Sequence, residues 1–275
     1  MKQPLHFMDN SFINPTNPIS INIIGAGGTG SHMIAAIARL NHTLIALGHP
    51  GFTVQLWDDD TVSETNVGRQ LFADSEIGLP KSVCLINKVN RFFGTDWKAI
   101  TQRFEKKTRT NILRENMASL TISCVDEVKP RFEIADLLLE QHIKMGHVLD
   151  SPTYWIDCGN SRYNGQVILA TVGDVRQPDS KKYIPVAFLP MVTDEFKDSL
   201  LTQVDNREPS CSMAEALAQQ SLFINSTLAN LTGSLLEQAI RQGFLEYRGF
   251  FVDLLRFRAL PIKITAHTDR MANAA

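Results

Sequence analysis

The run "ISINIIGAGGTGSH", Ile19 to His32, constrains the fold more than any other stretch. A short β-rich segment stops at a glycine cluster. An apolar-periodic stretch, "MIAAIARLNHTLIALG", follows at once and closes at Gly48. Strand, glycine turn and helix in direct succession form the first half of a βαβ unit. "GAGGTG" satisfies G-x-G-x-x-G through Gly25, Gly27 and Gly30. Gly25 permits a tight turn, and Gly27 and Gly28 let backbone approach a phosphate closely. The helix N-terminus behind them favours an anion. The pattern points to a nucleotide without choosing among NAD, FAD and ATP.

The rest of the chain continues the alternation. "FTVQLW" reads as a strand, "KSVCLINKVNRFF" as a helix, "TISCV" as a strand ending at Asp126, and "RFEIADLLLEQHIKMG" as a helix. "TYWIDCG" and "GQVILATVG" read as strands. The expected fold class is α/β: a Rossmann-like, doubly wound, mostly parallel sheet with helices on both faces and a C-terminal helix plus strand extension. Residues 1–18, rich in Asn and Pro, read as an N-terminal arm, and 19–173 as the nucleotide-binding core. From 174 to 209 charges and prolines rise, as in a long loop or lid. Residues 210–268 supply one long helix beginning at Met213 and two strands that complete the same domain, before a frayed tail.

Bulk properties exclude several classes. The 275 residues are 44% apolar, and 27 basic against 29 acidic side chains leave a formal charge of −2, so no polyanion footprint appears and no nucleic acid is expected. No clean apolar run reaches membrane-spanning length and the N-terminus lacks a signal-peptide core, so no membrane is expected. The four cysteines, Cys84, Cys124, Cys158 and Cys211, are far apart, with no C-x-x-C pair, so neither a zinc site nor a disulfide framework is expected. A reduced, cytoplasmic setting fits that usage. The seven histidines include no H-x-x-x-H ligand pair.

"VQLWDDDTVSETNVGRQLF", Val54 to Phe72, sharpens the ligand. A dinucleotide dehydrogenase needs one acid about 20 residues after its glycines for the ribose. Asp58, at the end of the second strand, suits that task. It leaves Asp60, Asn66, Arg69 and Gln70 unexplained, whereas a triphosphate under attack accounts for them. Arg69 can neutralise phosphate in bidentate fashion, Asn66 and Gln70 can add neutral donors, and Lys81 in "GLPK" can add a second cation. Asp59 is expected to face away, because neighbours along a strand alternate.

"GAGGTGS", "DDDTVSETNVGRQ" and "GLPK" together resemble the nucleotide-binding signature of the ThiF/MoeB/ubiquitin-activating superfamily: a glycine loop, D-x-D-x-V-x-x-x-N-x-x-R-Q, then G-x-x-K. The likeness spans roughly Ile21 to Lys81 and continues more weakly through "SCVDEVKPR" and "GNSRYNGQV". With "EPSCSMAEALAQQ" it is most similar to the ThiF-like proteins of the PRTRC gene system. The resemblance implies an ATP-dependent adenylyltransferase that activates the C-terminal carboxylate of a small ubiquitin-fold protein or peptide, with a downstream conjugating protein in some relatives. It implies ATP and Mg2+ as cofactors, with Asp126 at the magnesium position and Asp58 on the ribose. Asp60 either orients Arg69 or helps hold the metal site. A homodimer is implied too. Two departures stand out. No Arg precedes Gly25, where many relatives carry an arm whose Arg reaches the partner subunit's nucleotide. The two C-x-x-C zinc pairs of many relatives are also missing. Competing readings are an NAD- or FAD-binding oxidoreductase and a non-catalytic nucleotide-binding scaffold.

Cys211 is the remaining candidate. Ser212 and Glu215 form a capping box, so Cys211 stands just before a helix N-terminus, where a thiolate is favoured. In thioester-forming members of the resembled superfamily a cysteine on a mobile segment attacks the acyl adenylate. Cys84, Cys124 and Cys158 read as structural.

Overall fold

The computed structural model describes residues 2–105, 116–146, 150–202 and 221–266. Its centre is an eight-stranded sheet in the order β11-β10-β7-β6-β5-β2-β3-β4. The parallel part comprises β4 (Lys98–Ile100), β3 (Phe52–Trp57), β2 (Ile19–Ile24), β5 (Leu120–Ser123) and β6 (Tyr154–Asn160). Three antiparallel strands extend it: β7 (Asn164–Thr171), β10 (Tyr247–Asp253) and β11 (Arg258–Lys263). The inner parallel strands β2, β5 and β6 are buried along nearly their whole length, as a parallel sheet covered on both faces requires. Ile23, Val54, Leu56 and Ile122 are all fully buried.

One face carries α2 (Gly28–Ala46), α3 (Lys81–Phe93) and α7 (Ile224–Gln242). Met33, Ile37, Leu40 and Leu44 recur at helical spacing along α2 and lie in the larger core with Leu228, Leu236 and Ala239 of α7. A Cβ on Gly233 would lie 3.8 Å from that of Ala36, so the two helices run close together there. The opposite face is covered by α4 (Val128–Met145) and two short helices, α5 (Val192–Glu195) and α6 (Lys197–Leu201). Ile134, Leu138, Trp155, Ala170 and Leu200 form this second core. Among the described residues no helix is long and apolar enough to cross a membrane.

Two segments differ from expectation. The segment expected to be an N-terminal arm is built into the fold from residue 3 on: β1 (Gln3–Phe7) pairs with β8 (Tyr183–Pro185) and with β9 (Phe244–Leu245), and a short helix α1 (Asn10–Ile13) follows. Leu5, Met8 and Phe12 are buried, so apolar side chains dispersed among Pro and Asn anchor the segment. The stretch after 174 is packed as well as far as it is described, through Val175, Val186, Leu189 and Met191. Residues 221–223 form a turn, so α7 begins at Ile224 and no single helix runs to it from Met213.

A buried polar junction joins β1 to the sheet. The His6 ring bonds the Val186 carbonyl at 2.7 Å and the Tyr154 hydroxyl at 2.9 Å, and that hydroxyl accepts the Asp9 N–H at 2.8 Å. Burial lowers the His6 pKa to about 4, against the opposing bond to Val186. The unfolded chain therefore takes up a proton near pH 6.5 that the folded chain refuses until about pH 4. Stability should fall as pH drops through that window, by about 3 kcal/mol from this group alone. Urea unfolding at pH 7 and pH 4.5 tests this: His6→Gln should be the less stable protein at pH 7 and lose less on acidification. An equal loss in both would place the dependence elsewhere.

Candidate active site

The glycine loop is shaped by contacts that only glycine tolerates. Gly25 has a φ of +92°, and a Cβ there would lie 2.9 Å from the Cys124 carbonyl oxygen. A Cβ on Gly30 would stand 1.8 Å from the Gly25 carbonyl oxygen, so Gly30 lets α2 pack onto the loop and does not line the cleft. Gly27 has nothing within 4 Å of a virtual Cβ and leaves open space where a ligand would approach. No side chain caps α2 and no acid lies in its first turn, so its N–H donors and positive dipole end stay uncompensated.

Asp58 ties this loop to β3. Its Oδ2 accepts the Ala26 N–H at 2.6 Å and its Oδ1 accepts the Asp60 N–H at 3.0 Å. Burial raises its pKa, and the Ala26 bond and the Lys81 charge oppose that shift. Beyond Asp58 the chain zips against the start of α3. Thr61 bridges Pro80, Val62 N–H donates to the Leu79 carbonyl at 2.9 Å, and Lys81 N–H donates to the Asp60 carbonyl at 3.0 Å. The zipper brings Lys81 Nζ to 2.8 Å from Asp60 Oδ2. Asp60, which had two candidate roles, is thus the carboxylate that holds Lys81. Lys81 is buried and sits at the first position of α3, where the helix dipole disfavours a cation.

The N-x-x-R-Q loop rests on α2. Leu71 N–H donates to Ser31 Oγ at 3.4 Å, and His32 bonds the backbone of Arg69. Asn66 commits its amide oxygen to the Ser63 N–H at 3.0 Å, closing its own turn. Gln70 is buried, and its side-chain oxygen has no hydrogen-bond partner. Asn66, Arg69 and Gln70, with Asp58 and Lys81, line one end of an open cleft of about 1600 Å3 along the carboxyl ends of the strands. Asp59, expected to face away, stands on the rim of that cleft.

Asp126 lines the same cleft just past β5. Its loop is held by Arg131, which sequence reasoning missed. Arg131 is buried, pairs with buried Asp157 at 3.2 Å, and donates to the carbonyls of Val125 at 2.8 Å and Glu127 at 3.1 Å, on either side of Asp126. A second missed group joins three elements: Thr29 Oγ1 donates to Asn225 Oδ1 at 2.9 Å, and Asn160 Nδ2 donates to both at 2.9 and 2.8 Å. Asn160 lies within "GNSRYNGQV", but its partners are far away in sequence. Cys124 and Cys158 also line the cleft, where the hydrogen-bonded Cys158 side chain and burial hold the Cys124 thiol well above its ordinary range. Burial raises the Cys84 thiol too, so neither is activated. Cys211, with Ser212 and Glu215, lies outside the described residues. Among those residues no group of three or more His, Cys, Asp or Glu gathers to hold a metal. That does not conflict with a magnesium ion, which needs one or two carboxylates and takes its other ligands from phosphate and water.

The ThiF family profile matches residues 6–266. No curated protein matches by sequence. Among solved structures, PaaA superposes with a TM-score of 0.56 at 14% identity, covering 90% of this chain and 65% of that one. E. coli MccB crystallised with ATP gives 0.54 at 14% identity, with 94% and 67% covered. E. coli MccB with MccA gives 0.56 at 15% identity, with 94% and 66% covered. At such identities the likeness is one of fold. The chain spans just under two thirds of the length of PaaA.

The Asp58 bonds make a stability prediction. An Asn at this position offers one acceptor and one NH2, so either the Ala26 or the Asp60 N–H would face a second donor. Asp58→Asn should cost about 1–3 kcal/mol. Denaturant unfolding reads this directly, and an unchanged midpoint would show that these bonds do not hold the loop.

Proposed function

We infer the reaction from kinship and geometry together: the chain belongs to the ThiF family, and its cleft gathers the groups that adenylation of a carboxylate requires. In the proposed reaction a carboxylate oxygen attacks the α-phosphorus of ATP, the bond from that phosphorus to the bridging oxygen breaks, and pyrophosphate leaves with the electron pair. An acyl adenylate remains. Anion meets anion at the start, and charge accumulates on the leaving group, so positive charge must be fixed in place beforehand. Lys81 carries this reading. A buried cation at the start of a helix opposes the helix dipole and is retained by a dedicated partner, Asp60.

The other residues take roles that follow from position. The N–H groups at the start of α2, left open by Gly27, would cradle phosphate, while the space beside Gly28 is filled by the Asn225 side chain. Arg69 would meet the leaving pyrophosphate, and the side-chain amide N–H of Gln70 would donate to it. Asp58 would take the ribose hydroxyls while holding the loop. Asp126, on a loop fixed by Arg131, would hold magnesium, which would supply further positive charge beside the phosphates.

The carboxylate donor is proposed to be the C-terminus of a small ubiquitin-fold protein or peptide. The structures of E. coli MccB with ATP and with MccA support a fold that takes a nucleotide and a second component. Cys211 is proposed to receive the acyl group, its thiolate attacking the carbonyl carbon of the acyl adenylate as the carbon–oxygen bond to AMP breaks and AMP leaves with the electron pair; Cys211→Ala should then lose a thiol-sensitive adduct formed with ATP and the carboxylate partner. The exposed side chains Ile45, Leu47 and Phe92 at the ends of α2 and α3 support a homodimer.

ATP–pyrophosphate exchange tests the site. Arg69→Ala and Lys81→Ala should each slow exchange by on the order of 10²-fold or more. Asp126→Ala should weaken its dependence on magnesium. Parent-like exchange in all three variants would show that adenylation occurs elsewhere.

A further inference from the structure

The cleft is larger than its nucleotide end. Small-ligand pockets run to roughly 1,000 Å3, and this one reaches about 1600 Å3. Two sets of its lining residues stand at opposite ends of the sheet. Asp58, Arg69, Gln70 and Lys81 lie at the β3 end. The other end is bordered by Arg162, in the turn after β6, and by Arg256, Arg258 and Leu260 of the β10–β11 hairpin. Nothing in the nucleotide chemistry calls for the second group.

In-line displacement assigns it a place. Attacking and leaving oxygens lie on opposite sides of the phosphorus. The cations for the leaving group, Arg69 and Lys81, stand on the β3 side of the glycine loop. The incoming carboxylate must therefore arrive from the side of β5 and β6, where Asn160 is bonded to Thr29 in the first turn of α2. From there β6, β7, β10 and β11 lie side by side. Three strand spacings span about 14 Å, which about four extended residues cover.

The far end has a definite chemistry. Arg258 and Leu260 are two apart on β11 and both line the cleft, as strand alternation requires. Arg258 has no carboxylate partner among the described residues. Arg256 pairs with Asp253 at 3.1 Å, and Asp253 also accepts the backbone N–H groups of Leu255 and Arg256, which neutralises the one acid of the hairpin. The hairpin mouth therefore keeps one uncompensated positive charge beside an exposed leucine.

We propose that Arg258, with Arg256 beside it, reads an acidic side chain about four residues before the C-terminal carboxylate of a polypeptide substrate laid across β6, β7, β10 and β11. The proposal rests on the adenylation reading above and adds the charge that the substrate must carry. Arg258 is a specificity residue, remote from the reacting atoms.

The probes are short synthetic peptides with a free C-terminal carboxylate that differ only at the fourth residue before the last: Glu, Ala or Lys. The readout is ATP–pyrophosphate exchange driven by each, with ATP binding measured separately. Glu should exceed Ala by about fivefold in kcat/KM, carried by KM, with Lys below both. Arg258→Ala should erase the ranking while leaving ATP binding intact, Arg258→Lys should keep it, and Arg258→Glu should reverse it toward the Lys peptide. Because Arg258 is exposed on an edge strand, these variants test recognition without disturbing the core. If the parent binds ATP and either treats the three peptides alike or uses none of them, this inference falls while the nucleotide site stands. A ranking that survives in Arg258→Ala also overturns it. A parent that binds no ATP overturns the adenylation reading and this one with it.

Discussion

The carboxylate of Asp58 is the joint on which the site depends. Its two oxygens hold the Ala26 and Asp60 N–H groups, and these two bonds join the glycine loop to the strand that follows it in the βαβ unit. One fixes where the open N-terminus of α2 points. The other fixes the chain that carries Asp60, and through Asp60 the position of Lys81. An uncapped helix end and a buried cation are thus referred to a single side chain. Removing Asp58 would leave each element intact and lose their mutual register.

The electrostatics show why the pieces are paired as they are. Burying a cation is unfavourable unless its charge and donors are met. Lys81 meets one carboxylate, Asp60, whose side chain is largely exposed, so the pair keeps contact with the cleft. Arg131 meets Asp157 and two carbonyls deep in the protein, and those contacts leave it shaping the Asp126 loop. The two cations thus differ in setting: Lys81 is held by a partner at the cleft surface, and Arg131 is enclosed by the partners through which it fixes a backbone.

What could be read from the sequence follows from how local each feature is. Asp58, Arg69, Gln70 and Lys81 fall within one βαβ unit at motif spacing, and the structure brings them to one end of one cleft. The parallel sheet was legible for the same reason, since each strand and its following helix are contiguous. Arg131 was not, because its task depends on Asp157 in another strand. Thr29, Asn160 and Asn225 come from α2, β6 and α7, and no local pattern links them. The first strand was hidden because Gln3–Phe7 gains its partners only from β8 and β9, far along the chain.

That strand bears on the missing N-terminal arginine. Gln3–Phe7 is paired on both sides, and His6 is locked beneath it by Val186 and Tyr154. Reaching into another subunit would require breaking both ladders and exposing Leu5. With the segment pinned, the cations that line the cleft among the described residues come from elsewhere in the chain: Arg69 and Lys81 at the β3 end, Arg103 past β4, Arg131 on α4, Arg162 past β6, and Arg256 and Arg258 on the β10–β11 hairpin. The pairing of β1 on both sides keeps this segment on its own chain, and among the described residues the positive charge of the cleft comes from side chains that the sheet itself sets in place.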